Sequence, residues 1–93
     1  MANLTLEEIL GMIEKLCRKY QVEHLYLFGS YATGTATRTS DIDIIIKGGL
    51  DIFWLKEEID RIPTLKKIDV FEYDKCVNLY LKEDMDRYGR KIY

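Results

Sequence analysis

A single proline, a single histidine, a single tryptophan and two cysteines are spread through 93 residues, and these scarcities exclude several kinds of protein. Cys17 and Cys76 form no Cys-x-x-Cys pair and have no histidine cluster beside them, so a zinc site has no support. Two isolated thiols without a leader-like segment read as reduced, which makes the cytoplasm the expected location. No apolar run approaches the roughly 18 residues of a membrane span, so no membrane partner is expected. The longest run is the strand-sized stretch around Ile44, Ile45 and Ile46. Basic residues are not in excess either: 14 Lys and Arg against 16 Asp and Glu leave a formal net charge of −2. Dedicated nucleic-acid binders carry a basic surplus that displaces counterions from phosphates. The composition therefore argues against nucleic acid as partner, although Lys66-Lys67 and residues 87–91 form local basic clusters.

What is present fits one small domain spanning residues 1–93, with 47% hydrophobic and 32% charged residues distributed along the chain. Thr5-Leu6-Glu7-Glu8 is a capping-box pattern that opens a first helix. Leu6, Ile9, Leu10, Ile13, Leu16, Cys17 and Tyr20 recur behind it at helical spacing. Residues 25–28 are short, apolar and aromatic and stop at Gly29, which predicts a strand. Residues 41–47, rich in isoleucine, predict a second strand that Gly48-Gly49 ends. Asp51 reads as the N-cap of a helix with its buried stripe at Ile52, Leu55, Ile59 and Ile62, closed by Pro63. Residues 67–73 predict a third strand. Val77, Leu81, Met85 and Tyr88 predict a last helix ending near Gly89, with the final residues extended. The fold class expected is α/β (α+β), a small mixed sheet of about three strands with helices packed mainly on one face.

Three features between residues 27 and 69 carry chemistry. Gly29-Ser30 directly follows a strand, where a glycine permits a sharp turn and exposed N–H groups with a hydroxyl make a phosphate seat. An ordinary turn is the bland alternative. Asp41-x-Asp43 opens an apolar strand, so both carboxylates point one way while Ile42, Ile44 and Ile46 face a core. Their mutual repulsion is what a divalent cation relieves, and Mg²⁺ takes a few carboxylates plus substrate phosphates. One Asp capping a turn and the other solvated is the alternative. Asp69 interrupts the apolar strand Lys67-Ile68-Asp69-Val70-Phe71 and faces away from the core side. Its bland alternative is a pairing with Lys67. If the third strand neighbours the second, the three carboxylates converge on a site suited to two-metal phosphoryl transfer.

Gly29-Ser30, ten residues, then Asp41-Ile42-Asp43 resembles the signature of the polymerase-beta-like nucleotidyltransferase superfamily. Ala32, Gly34, Ala36 and Ser40 between them are similar to its minimal nucleotidyltransferase (MNT) branch. The likeness runs over nearly the whole chain, with Phe28 before the Gly-Ser, Asp69 as third carboxylate, and a helix followed by Gly89 and a Tyr ending at Tyr93. This resemblance implies Gly29 and Ser30 on the triphosphate of ATP, Mg²⁺ on Asp41, Asp43 and Asp69, and Asp69 activating the acceptor hydroxyl. It also implies an antitoxin partnered with a HEPN-domain toxin, an RNase, which is silenced by transfer of AMP onto a tyrosine. A hetero-oligomer with that toxin follows, and a homodimer is the state considered for the chain alone. One position departs from the branch: Thr33 stands where Arg is common, so Arg38 or a lysine would have to compensate.

Other residues have plainer roles. His24 reads as structural or exposed, Tyr20, Tyr26 and Tyr80 as core or core edge, and Tyr31 as lining the Gly29-Ser30 loop. Trp54 falls off its helix's apolar stripe and is a candidate interface residue, with a second-layer packing role as the alternative. A catalytically weak module that neutralises a toxin by occlusion is the competing function, and transfer onto RNA is a third.

Overall fold

The structure, a computed structural model, describes residues 4–37, 39–75 and 78–93; Arg38, Cys76 and Val77, which figure above, lie outside the described residues. Helix α1 (Leu6–Lys19) begins at the expected capping box. The Thr5 hydroxyl accepts from the Glu8 N–H at 3.1 Å, and the Glu8 carboxylate accepts from the Thr5 N–H at 3.1 Å. Ile9, Ile13 and Cys17 are its buried stripe. Strand β1 (Val22–Phe28) is longer than residues 25–28, with a register irregularity between Val22 and His24. Gly29 then leads into the single turn α2 (Ser30–Thr33). Strand β2 (Ile42–Gly48), helix α3 (Ile52–Asp60) and strand β3 (Ile68–Glu72) follow, then a 3₁₀ turn (Tyr73–Lys75), helix α4 (Leu79–Tyr88) and strand β4 (Arg90–Lys91).

The sheet order is β3-β2-β1-β4. β1 runs antiparallel to both β2 and β4, while β2 and β3 are parallel. A parallel pair needs a crossover, and α3 supplies it. The sheet is mixed, as expected, and has a fourth strand. β4 is too short to show a sequence pattern; bonds around it hold the chain end to β1, with the Ile92 N–H on the Leu25 carbonyl at 2.7 Å and the Leu25 N–H on the Tyr93 carbonyl at 3.0 Å.

The main core lies on one face of the sheet. Ile42, Ile44 and Ile46 of β2 and Leu25 and Leu27 of β1 meet Ile9, Ile13 and Cys17 of α1 and Leu55 and Ile59 of α3. On the other face α4 covers Tyr26 and Ile45 with Met85, the one buried residue of its described part. Two tyrosines therefore differ from the expectation: Tyr88 is 50% exposed and Tyr80 is 83% exposed. α4 crosses the sheet through a narrow contact, and Tyr80 lies in its first turn, where Asn78 Oδ1 accepts the Tyr80 and Leu81 N–H groups. Asp51 occupies the N-cap position of α3 but makes no side-chain capping bond. Its φ of 51°, beside positive φ at Gly48 and Gly49, sets a turn in which the carboxylate does not reach the helix N–H groups. Among the described residues no helix is long and apolar enough to cross a membrane.

Candidate active site

Strand parity decides which face carries the acids. Ile42, Ile44 and Ile46 point into the core, so Asp43, between them, points to the opposite face. Asp41 stands just before β2 and is exposed. The parallel pairing sets Asp43 opposite Asp69, and the antiparallel pairing sets it opposite Phe28. Phe28, Asp43 and Asp69 thus form a row across three strands. Burial raises the Asp43 carboxyl above its ordinary range, and the charge of Asp69, a hydrogen bond with it, and the charge of Asp41 raise it further; Lys67 partly opposes them. Lys67 also pairs with Asp69 at 3.6 Å, so the plain pairing and the acidic cluster coexist. Among the described residues no three His, Cys, Asp or Glu side chains close into a metal cage.

Gly29 is required at its position for two reasons. Its φ of 73° and ψ of −152° lie in a region reserved almost wholly for glycine. A Cβ there would also come to 2.5 Å from Asp43 Oδ2. The Gly29 carbonyl accepts the first helical bonds of α2, from the Ala32 N–H at 3.0 Å and the Thr33 N–H at 3.2 Å. The N–H groups of Ser30 and Tyr31 precede those bonds and belong to the unsatisfied start of the turn. Thr33, where the branch commonly has arginine, turns back into its own loop. Its hydroxyl donates back to the Gly29 carbonyl at 3.4 Å and lies 3.0 Å from the Thr35 hydroxyl. Tyr31 packs partly against the core and carries the Lys66 ammonium 5.4 Å from its ring centre. No sequence spacing announces that lysine at the loop, nor Phe28 as a member of the acidic row.

The arrangement brings a tight glycine turn and two adjacent carboxylates to one face, with a third carboxylate at the strand's entry. A hollow of about 470 Å³, bordered by Gly48, Phe53, Glu72 and Lys75, lies at the far end of β2 and β3 and is no part of this row.

Residues 9–92 match the nucleotidyltransferase domain family, and the chain belongs to it. It is 35% identical over 78 residues to the protein adenylyltransferase MntA of Thermococcus cleftensis, covering 78% of this chain and 68% of that one. A Methanocaldococcus jannaschii protein provisionally named a protein adenylyltransferase is 33% identical over 89 residues, covering 87% of this chain and 88% of its own. The fold also superposes with a TM-score of 0.70 on a solved toxin-antitoxin with AMP-PNP, at 25% identity over 89% of this chain and 71% of that chain. The fold is accordingly that of the polymerase-beta-like nucleotidyltransferases, and the chain is a minimal nucleotidyltransferase.

Proposed function

We propose that this protein is an adenylyltransferase antitoxin that transfers AMP from ATP onto a HEPN-domain toxin with Mg²⁺. The observation that carries the reading is the register pairing of Asp43 with Asp69 on the open sheet face, against the Gly29 turn. The relatives support it: one is named MntA, a protein adenylyltransferase, and a structural neighbour is a toxin-antitoxin with AMP-PNP.

The donor set suits Mg²⁺. The oxygens are hard carboxylates, their crowding raises Asp43, and this ion keeps waters and substrate phosphates rather than demanding an all-protein cage. Asp41, Asp43 and Asp69 would hold it. When bound, Mg²⁺ offsets charge on the triphosphate and on the oxygens exchanged at phosphorus. Gly29 and Ser30 present backbone N–H groups and a hydroxyl to the triphosphate. Asp69 takes the proton of the acceptor hydroxyl as its oxygen bonds to the α-phosphorus. The α–β bridging bond breaks, and pyrophosphate leaves. The acceptor surface comes from the partner toxin in this reading.

A second reading has specific support. Thr33 turns its hydroxyl onto its own loop, and Trp54, 57% exposed, stands edge-on to exposed Phe53 at 5.3 Å. A module that neutralises its toxin by binding alone would need only such a surface.

Intact-mass measurement of the partner after incubation with this protein, Mg²⁺ and ATP separates the two. A gain of AMP that disappears with Asp41→Asn/Asp43→Asn is the expected result. A stable complex with no gain in mass, and neutralisation retained by that variant, would transfer the conclusion to the binding module.

A further inference from the structure

The ion pair between Lys67 and Asp69 is left without a role by the reading above. β3 begins at Ile68, and the Ile42 N–H donates to the Lys67 carbonyl at 2.8 Å, so the parallel pairing of Ile42 with Ile68 extends one residue back. Lys67 therefore stands level with Asp41 on the neighbouring strand. It also lies two residues before Asp69, on the same face of its own strand. Its ammonium is 3.6 Å from Asp69 Oδ1, and its positive charge reaches Asp43 as well. The acids thus share a cation that the chain itself supplies. We propose that the Lys67 ammonium is a tethered place-holder for the metal: it compensates the acids in the metal-free protein, gives way to Mg²⁺, and so sets the affinity with which Mg²⁺ binds. The inference rests on the Mg²⁺ part of the reading above and deepens it.

Charge, mobility and space agree on a cation that yields. Carboxylates side by side repel, and one ammonium offsets part of that repulsion. The pair is weak enough to be displaced. The Lys67 side chain is 70% exposed and that of Asp69 33%, and an exposed pair is worth little beside a dication that also gathers phosphate oxygens. Lysine carries its charge on a flexible four-carbon stem, so the ammonium swings away while the Lys67 backbone stays bonded to Ile42. A hollow of about 300 Å³, bordered by Ile62, Thr64 and Lys66, lies beside Lys67 and Asp69 and gives it room. Arginine, with its planar fork, would grip two carboxylate oxygens and resist displacement. A neutral side chain would leave the acids uncompensated. Lysine compensates them and lets go.

The test is a titration with Mg²⁺ alone, followed by NMR through the backbone amides of Asp43 and Asp69, on the parent, Lys67→Gln, Lys67→Arg and Lys75→Gln. Lys67→Gln is expected to bind Mg²⁺ about three- to fivefold more tightly, the upper scale of one exposed ion pair. It should also melt below the parent in EDTA but not at saturating Mg²⁺, a reversal that a merely structural lysine would not produce. Lys67→Arg keeps the charge and is expected to bind Mg²⁺ no more tightly than the parent. Lys75→Gln makes the same change of net charge beyond the far end of β3, where Lys75 pairs with Glu72 at 3.5 Å, and should leave the affinity unchanged. An affinity unchanged in Lys67→Gln, raised equally in Lys75→Gln, or raised also in Lys67→Arg overturns the place-holder and leaves the transfer reading standing. Failure of Mg²⁺ alone to bind any of the four proteins overturns it as well, and failure of Mg²⁺ to bind with ATP present overturns the two together.

Discussion

The contact between Gly29 and Asp43 makes the Gly29→Ala variant the sharpest probe of the site's architecture. Two costs combine in it. The backbone at φ 73° and ψ −152° lies where a residue with a Cβ costs about 1–3 kcal/mol. The new methyl would also meet Asp43 Oδ2 at 2.5 Å and Cγ at 3.4 Å. Asp43 sits in a row between Phe28 and Asp69, so its carboxylate has little room to retreat. Overpacking of this kind adds about 1–3 kcal/mol, for a total of about 2–6 kcal/mol. A domain of this size moves about 4–8 °C per kcal/mol, so Gly29→Ala should melt at least about 8 °C lower. The assay is urea unfolding in EDTA, followed by far-ultraviolet circular dichroism, on Gly29→Ala, Asp43→Ala and the double variant. Asp43→Ala removes Oδ2 and Cγ and leaves its own Cβ at an ordinary 3.6 Å from the new methyl. The steric part should then vanish while the backbone part remains, and the double variant should be more stable than the summed singles by about 1–3 kcal/mol. An additive cycle, or a Gly29→Ala protein within about 0.5 kcal/mol of the parent, would refute the packing argument.

Three further outcomes follow from the same coordinates. Asp43 has a raised pKa, so the folded state binds more protons than the unfolded one, and stability falls as pH rises from the ordinary Asp range through the raised value. Asp43→Asn removes that penalty: without Mg²⁺ it should melt above the parent at pH 7, with the difference closing below about pH 4, whereas a pH-independent loss would count against the charge-crowding account. Cys17 is fully buried and its thiol is pushed up to about 12, chiefly by burial. In a Cys76→Ser background it should ignore a thiol reagent at pH 8 until the chain unfolds, and rapid labelling of native protein would show the helix–sheet seam open. Thr5→Ala removes the hydroxyl that accepts from the Glu8 N–H, leaves the bond from the Thr5 N–H to the Glu8 carboxylate, and should cost about 0.5–2 kcal/mol in denaturant unfolding while nucleotide binding stays the same.

Most of the site was legible because strand parity is a strict rule. Alternation through Ile42, Ile44 and Ile46 fixed the core face of β2, and with it the side on which Asp43 emerges. The glycine before the helical turn was legible too, since nothing else tolerates that backbone. Other features depend on long-range geometry that no local pattern carries. β4 has two residues and owes its existence to hydrogen bonds with β1. The apolar spacing of α4 did not reveal that Met85 alone would anchor its described part or that Tyr88 would stay exposed. Asp51 has the right identity and position for a cap, yet the positive-φ turn before α3 turns it away. The sequence shows Thr33 only as the absence of an arginine, and the coordinates add that its hydroxyl lies 3.4 Å from the Gly29 carbonyl and 3.0 Å from the Thr35 hydroxyl.

The same strand that supplies the core also supplies Asp43, and this ties the candidate site to the fold. β2 is hydrogen-bonded on both sides, to β1 antiparallel and to β3 parallel, and contributes three core isoleucines from one face. A slip of one residue would turn those isoleucines to the open face and drive Asp43 into the core. The penalty for burying an unpaired carboxylate, together with the lost apolar burial, therefore selects the register in which Asp43 meets Asp69. The crowding of like charges on the open face is tolerated because the isoleucine face opposes it. A bound cation would remove the crowding rather than create the site. The geometry of the acids is thus set by folding, through the same register that buries the isoleucines, and needs no ligand to impose it.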